Sequence, residues 1–280
     1  MGDNGLSVIR AGDGYKWYAH IARVEKPKGI VVLLHGIRSH AGWYTRTREA
    51  LAEAVYEVHF LDRRGSGLNT AHRGDTPNFH RLVQDVVEYV HDLRQTRNAL
   101  PVFLAGISWG GKLALGVAAA QPRLVNGVAL LCPGLVAKVR PPLASRLRIA
   151  LARFVRPTKR FPIPLNDPEL FTVQPHWQQY IANEAQGLGE ATARFLFESV
   201  RFDLWLRRSV KRVTCPVLLM LAGQDRILNN PATRKYLTKL KNAKSLRIID
   251  DPQAHHTLEF EPDTASYLND LIGWLDLVRA

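Results

Sequence analysis

The chain has 280 residues, 46% hydrophobic and 22% charged, which supplies a packed core and excludes a disordered polypeptide. Its 38 Lys and Arg against 25 Asp and Glu give a net charge of +13, a balance that suits an anionic partner. Two cysteines, Cys132 and Cys215, exclude a disulfide framework and a cysteine metal site, and no apolar run reaches the ~18 residues a membrane span needs.

Short strands are predicted at residues 6–10 and 15–23, around the turn Gly12-Asp-Gly14. Ile30–Leu34 is a continuous apolar run, the mark of a strand buried on both faces of a parallel sheet. Residues 43–54 read as a helix and 58–61 as the next buried strand. Residues 79–93 carry Phe79, Leu82, Val83, Val86, Val90 and Leu93 at helical spacing. Val102–Ile107 is a further strand, followed by an Ala-rich helix over 109–120 and a strand over 125–132. Val217–Ala222, a helix opening near Pro231, a strand over 245–249 and a helix over 264–278 complete the chain.

This alternation predicts an α/β fold, a mostly parallel sheet with helices on both faces. Residues 134–212 interrupt it. They hold no convincing strand, open with prolines and basic residues, and then turn helical. The expected organisation is a core of residues 1–133 and 213–280 with a helical cap or lid inserted at 134–212. Cys132 and Cys215 then lie at opposite edges of the sheet, too far apart to bond, which suits a reducing compartment.

Gly106-Ile-Ser-Trp-Gly110 is a G-x-S-x-G motif between a buried strand and a helix. In that setting the pattern describes a nucleophile elbow, a strained turn that exposes the Ser108 hydroxyl at a sheet edge and a helix N-terminus. A serine is a weak nucleophile without a base, and the base needs an acid to orient it. Gly223-Gln-Asp225 follows a buried strand, which brings Asp225 to the same edge. Asp250 and Asp251 are expected to shape the next loop, and Asp203 lies in the insertion. The base is His255 or His256, both in the loop after the last strand. Two backbone N–H groups must face the developing oxyanion. Trp109, next to Ser108, supplies one. Ile37, in the loop His35-Gly-Ile-Arg38, supplies the other, with His35 shaping that loop.

In their order, His35-Gly-Ile-Arg-Ser-His-Ala-Gly-Trp-Tyr44, Asp62-Arg-Arg-Gly-Ser-Gly67, Gly106-Ile-Ser-Trp-Gly-Gly111, Gly223-Gln-Asp225 and His256-Thr-Leu-Glu-Phe-Glu261 resemble the α/β-hydrolases. The resemblance is to their monoacylglycerol lipase and lysophospholipase branch, also described as serine-aminopeptidase-like. It covers nearly the whole chain outside the insertion. It implies the α/β-hydrolase fold, a triad of Ser108, Asp225 and His256, and no metal or organic cofactor. The branch's His-x-Leu-x-x-Glu pattern aligns with His256 rather than His255. Trp109 stands where the branch usually has Met, which places a bulky indole near the acyl site.

Residues 138–160 hold eight basic and no acidic residues, with Leu143, Leu147, Leu151 and Phe154 near helical spacing. Such a basic amphipathic helix fits an anionic membrane surface, and also a lid that packs its apolar stripe over a pocket. No nucleic-acid fold signature accompanies the charge. The expected activity is hydrolysis of carboxylic esters of medium or long acyl chains, monoacylglycerol- or lysophospholipid-like, through an acyl-enzyme on Ser108. The same triad serves thioesters, amides or acyl transfer, and a binding protein on this scaffold is the non-enzymatic alternative. No secretory leader is legible in residues 1–7, so the expected location is cytoplasmic with peripheral membrane contact.

Overall fold

The computed structural model describes residues 4–97 and 99–279. The chain opens with β1 (Asn4–Arg10) and β2 (Lys16–Ala22), an antiparallel pair. There follow β3 (Ile30–Leu34), α1 (Thr45–Glu53), β4 (Glu57–Leu61), α2 (Phe79–Thr96), β5 (Val102–Ile107), α3 (Trp109–Ala120) and β6 (Gly127–Leu131). An excursion carries α4 (Leu143–Val155), β7 (Arg160–Pro162), α5 (Pro175–Asn183), β8 (Glu190–Thr192) and α6 (Ala193–Ser209). The chain then closes with β9 (Val217–Ala222), α7 (Asn230–Leu237), β10 (Leu246–Asp251) and α8 (Ala265–Arg279).

Eight strands form one sheet in the order β1-β2-β4-β3-β5-β6-β9-β10. From β4 to β10 every neighbour pair is parallel. Strands β3, β5, β6 and β9 are buried along their whole length, as their unbroken apolar runs require, and β4 is equally buried with Glu57 and His59 paired to each other at 2.8 Å. Helix α1 packs with α8, and α2 with α3. The edge strand β10 is largely open to solvent and carries Arg247, Asp250 and Asp251 among its six residues.

β6 and β9 are neighbours, pairing Val128 with Val217, so the excursion leaves the sheet and returns beside its point of departure. One expectation is corrected there. Residues 134–212 do contain strand: β7 and β8 pair antiparallel, Phe161 opposite Ala191. Three residues per strand are too few for alternation to register in a sequence.

α6 fastens the excursion to the core. Phe202 is fully buried and stacks on Phe79 of α2 at 5.2 Å. Gly116 of α3 makes room for it, since a Cβ there would lie 2.4 Å from the Phe202 ring. Glu198, also fully buried, accepts the Phe79 N–H at 3.3 Å and pairs at 2.9 Å with Arg201, whose half-exposed guanidinium compensates its charge from the solvent side. α4 packs on α6 and buries Ile149 and Ala152. Its apolar stripe does the opposite of what a pocket-covering lid requires: Leu143, Leu147, Leu151 and Phe154 face solvent, 67%, 64%, 67% and 75% exposed.

Truncating the side chain that anchors α6 is expected to be costly. Phe202→Ala should lower the unfolding free energy by about 3–5 kcal/mol in a urea titration. A loss under ~1 kcal/mol would show that α6 is not packed on the core as described.

Candidate active site

Because β3, β5, β9 and β10 run parallel, their carboxyl ends open at one edge of the sheet, where ligands bind in open α/β folds. Ser108 follows β5 directly and precedes α3. Its backbone is at φ 52° and ψ −119°, a conformation that costs an L-residue on the order of 1–3 kcal/mol. Three hydrogen bonds hold it there. Its N–H donates to Leu131 O at 3.0 Å, and its carbonyl accepts from Gly111 N at 3.0 Å and Gly134 N at 2.6 Å. The motif's glycines allow close approach. A Cβ on Gly110 would lie 2.1 Å from Leu34 O, and one on Gly106 2.4 Å from Gly110 O. The Ser108 hydroxyl does not cap the helix it precedes, which leaves its oxygen uncommitted.

Asp225 lies in the loop after β9 and is buried. Its Oδ1 accepts the N–H groups of Ile227 at 2.7 Å and Leu228 at 2.9 Å, and its Oδ2 meets His256 Nδ1 at 2.7 Å. Burial pushes the carboxyl pKa up. The His256 ring and the two backbone donors outweigh burial and hold it below the usual carboxylate value. With Nδ1 committed to Asp225, the ring's open position is Nε2, which is buried and has no partner among the described residues. His256 and Ile107, the neighbour of Ser108, line one small cavity. No hydrogen bond joins Ser108 Oγ to His256 here; contacts of this kind are often long before substrate binds.

The other candidates go elsewhere. His255 turns to Glu261, which accepts both its N–H at 2.7 Å and a contact from Nδ1 at 3.0 Å. Asp250 pairs with Arg234, and Asp251 accepts from the backbone of Gln253 and Ala254. Asp203 pairs with Lys112 at 2.7 Å.

Among the described residues the backbone N–H groups of Ile37 and Trp109 have no acceptor. Gly36 brings the Ile37 loop against the nucleophile, since a Cβ there would lie 3.3 Å from Ser108 Cβ. His35 is not a free base: it is buried, with Nδ1 on Gly36 O at 2.7 Å and Nε2 on Arg63 N at 2.9 Å. Burial and the Arg63 charge lower its pKa to about 3. The Trp109 indole points into the excursion. Its Nε1–H donates to Ser199 Oγ at 3.0 Å, and its ring packs on Phe195 at 5.6 Å and Phe202 at 6.2 Å.

Sequence reasoning missed several neighbours. Phe171, from the excursion, packs edge-on to His256 at 5.9 Å, and no pattern in the chain marks it. Glu259 is buried and accepts from Arg46 N at 2.7 Å, Thr47 Oγ1 at 2.5 Å and Tyr267 Oη at 2.8 Å, tying the His256 loop to α1 and α8. Its signal was its place in the His256-Thr-Leu-Glu-Phe-Glu261 segment. Among the described residues no cluster of His, Cys, Asp or Glu is built to hold a metal ion.

The chain is similar in sequence and in fold to known proteins. Mouse (Mus musculus) monoglyceride lipase is 25% identical over 277 residues, covering 96% of this chain and 89% of its own. The crystal structure of Paleococcus ferrophilus monoacylglycerol lipase superposes with a TM-score of 0.80 at 22% identity, covering 92% of this chain and 98% of that one. A soluble variant of monoglyceride lipase from Saccharomyces cerevisiae, in complex with a substrate analog, gives a TM-score of 0.83 at 19% identity over 99% and 95% of the two chains. The profile of the family described as serine aminopeptidase, S33, matches residues 25–263, so the chain belongs to that family and carries the α/β-hydrolase fold.

Proposed function

We propose that this ester hydrolase of the lipase kind cleaves carboxylic esters of medium or long acyl chains, monoacylglycerol- or lysophospholipid-like, through an acyl-enzyme on Ser108. The observation that carries the reading is the Asp225–His256 hydrogen bond, which leaves His256 Nε2 unpartnered at the sheet edge where strained Ser108 stands. His256 takes the Ser108 proton as Oγ attacks the ester carbonyl. The Ile37 and Trp109 N–H groups receive the oxyanion. His256 then protonates the leaving alcohol, and the tetrahedral intermediate collapses to the acyl-enzyme. Water, deprotonated by the same ring, attacks the acyl carbonyl and restores Ser108. Asp225 fixes the tautomer with Nδ1–H and stabilises the imidazolium. The excursion over residues 134–212 serves as a cap, since Phe171 against His256 and α6 against Trp109 close the site from above. The names of the similar proteins support a lipid ester as substrate.

A fluorophosphonate probe should label the wild-type chain, and Ser108→Ala should not label. Equal labelling of both would refute the nucleophile assignment. Activity on esters of graded chain length should be lost with it.

Asp225→Asn should reduce kcat by about 10⁴-fold, because the ring loses its enforced tautomer. Stability gives an independent check. A carboxylate with a depressed folded pKa contributes stability above its unfolded value of ~3.9 and loses it as pH falls through the folded one. The difference in unfolding free energy between wild type and Asp225→Asn should therefore be steady near pH ~6 and narrow below pH ~4. A difference independent of pH would contradict the assigned charge.

The solvent-facing stripe of α4 lies among exposed Lys138, Arg140, Arg146, Arg148, Arg156, Lys159 and Arg160, an arrangement complementary to anionic headgroups. The proposal places a cytoplasmic enzyme in peripheral contact with anionic membrane through this segment. Co-sedimentation should be stronger with phosphatidylglycerol than with phosphatidylcholine vesicles, and should fall with added salt and with Leu147→Asp plus Phe154→Asp. Binding indifferent to lipid charge and to both substitutions would remove the membrane reading.

A further inference from the structure

The geometry points to Arg63 and His35 as positioning residues that aim the Ile37 N–H at the reacting oxygen, with the Arg63 charge left unpaired to favour the oxyanion. This inference rests on the reading of Ile37 as an oxyanion donor given above.

Two consecutive peptide planes are pinned. The Arg63 N–H donates to His35 Nε2 at 2.9 Å, so the ring proton sits on Nδ1. Nδ1–H donates to the Gly36 carbonyl at 2.7 Å. That carbonyl shares its peptide unit with the Ile37 N–H, so the bond fixes the plane and polarises the donor at its far end. With its pKa lowered to about 3, His35 stays neutral, and this arrangement does not alter through the neutral range. Arg63 Nη2 donates to the Ile37 carbonyl at 3.1 Å and fixes the next plane. The Gly36 N–H goes to Ser39 Oγ at 3.0 Å, itself anchored by Tyr44 Oη at 3.1 Å. From the Gly36 nitrogen to the Ile37 oxygen every polar group is engaged except the Ile37 N–H.

Arg63 is also electrostatically distinct. It is 4% exposed and forms no ion pair among the described residues. Burial lowers its pKa to about 10, still well above neutrality, so the guanidinium stays charged. It lies over the Trp109 ring at 5.0 Å and the Phe195 ring at 5.1 Å. Its neighbour Arg64 has the opposite fate, held by both carboxylate oxygens of Asp85 at 2.7 and 2.8 Å. A buried cation with no carboxylate in salt-bridge contact, touching both donor residues, gains a close counter-charge when the carbonyl oxygen becomes negative.

Arg63→Met keeps the aliphatic stem against Trp109 and removes donor and charge. On a p-nitrophenyl ester its kcat should fall by about 10- to 100-fold with KM within about twofold. Affinity for an alkyl boronic acid, whose serine adduct is tetrahedral and anionic, should fall by a similar factor. His35→Leu should behave likewise, whereas His35→Asn, which offers an amide N–H near the place of Nδ1, should recover most of the loss. Fluorophosphonate labelling should still reach one per chain in every folded variant. Wild-type kcat and boronate affinity in folded Arg63→Met and His35→Leu would overturn the inference. So would a loss confined to KM, or a loss of kcat that leaves boronate affinity unchanged. If Arg63→Met does not fold, the His35 pair makes the same comparison. Labelling that survives in Ser108→Ala would instead bring down the nucleophile reading beneath it.

Discussion

Gly110 brings the first turn of α3 so close to β3 that a single added methyl group would lie 2.1 Å from the Leu34 carbonyl oxygen. With the helix pressed that tightly against the neighbouring strand, the chain leaving β5 has one residue in which to reverse direction. That residue is Ser108, and its positive φ is the geometric result. The remaining parts of the site are arranged around this turn. The Ile37 loop abuts Ser108 because it ends the very strand that α3 crowds. Trp109 begins the helix, so its N–H lacks an intrahelical acceptor as the first N–H groups of any helix do. Gly134, the first residue of the excursion, donates to the Ser108 carbonyl and so locks the turn from the other side.

Much of this was legible because the physics that shapes it is local. Ile30–Leu34, Val102–Ile107 and Val217–Ala222 are unbroken apolar runs, and only a strand covered on both faces tolerates that composition. Parallel strands then bring Ser108, Asp225 and His256 to one edge from positions far apart in the chain. The choice between His255 and His256 was not local, since both stand in the same loop and differ in whether Glu261 or Asp225 receives them. Only the resemblance separated them. The contact between Phe171 and His256 leaves no trace in the chain, because it joins segments with no shared periodicity. The stripe on α4 was visible as amphipathic. Which way it faces depends on Ile149 and Ala152 finding α6, and spacing within one helix says nothing about its neighbours.

Two groups of basic residues differ in their surroundings. Arg64, Arg81 and Arg194 are spent inside the fold, each beside a carboxylate of Asp85, Glu88 or Asp75. These pairs hold elements together and contribute little to the outer field. The second population stands on and around α4, where acidic partners are few. A single number for net charge hides this separation. The surface that carries the field is the same surface that exposes leucine and phenylalanine, so charge and apolar area act on the same face.

The excursion begins on a fixed root. Ala137 bridges to Leu228, Lys138 N–H donates to Ile227 O at 2.8 Å, and Asn229 N–H donates to Val136 O at 2.9 Å. Lys138 Nζ reaches the Asp225 carbonyl at 2.7 Å. The loop that holds the carboxylate against His256 is thus stitched to the first residues of the excursion. A hinge at Cys132 or Gly134 would tear that seam and pull Asp225 from its imidazole. A hinge at Pro141 and Pro142, which lack N–H groups and immediately precede α4, breaks none of it. The fold thereby builds a collar around the acid from the root of the excursion, ahead of α4, so the alignment of Asp225 does not rest on where α4 packs.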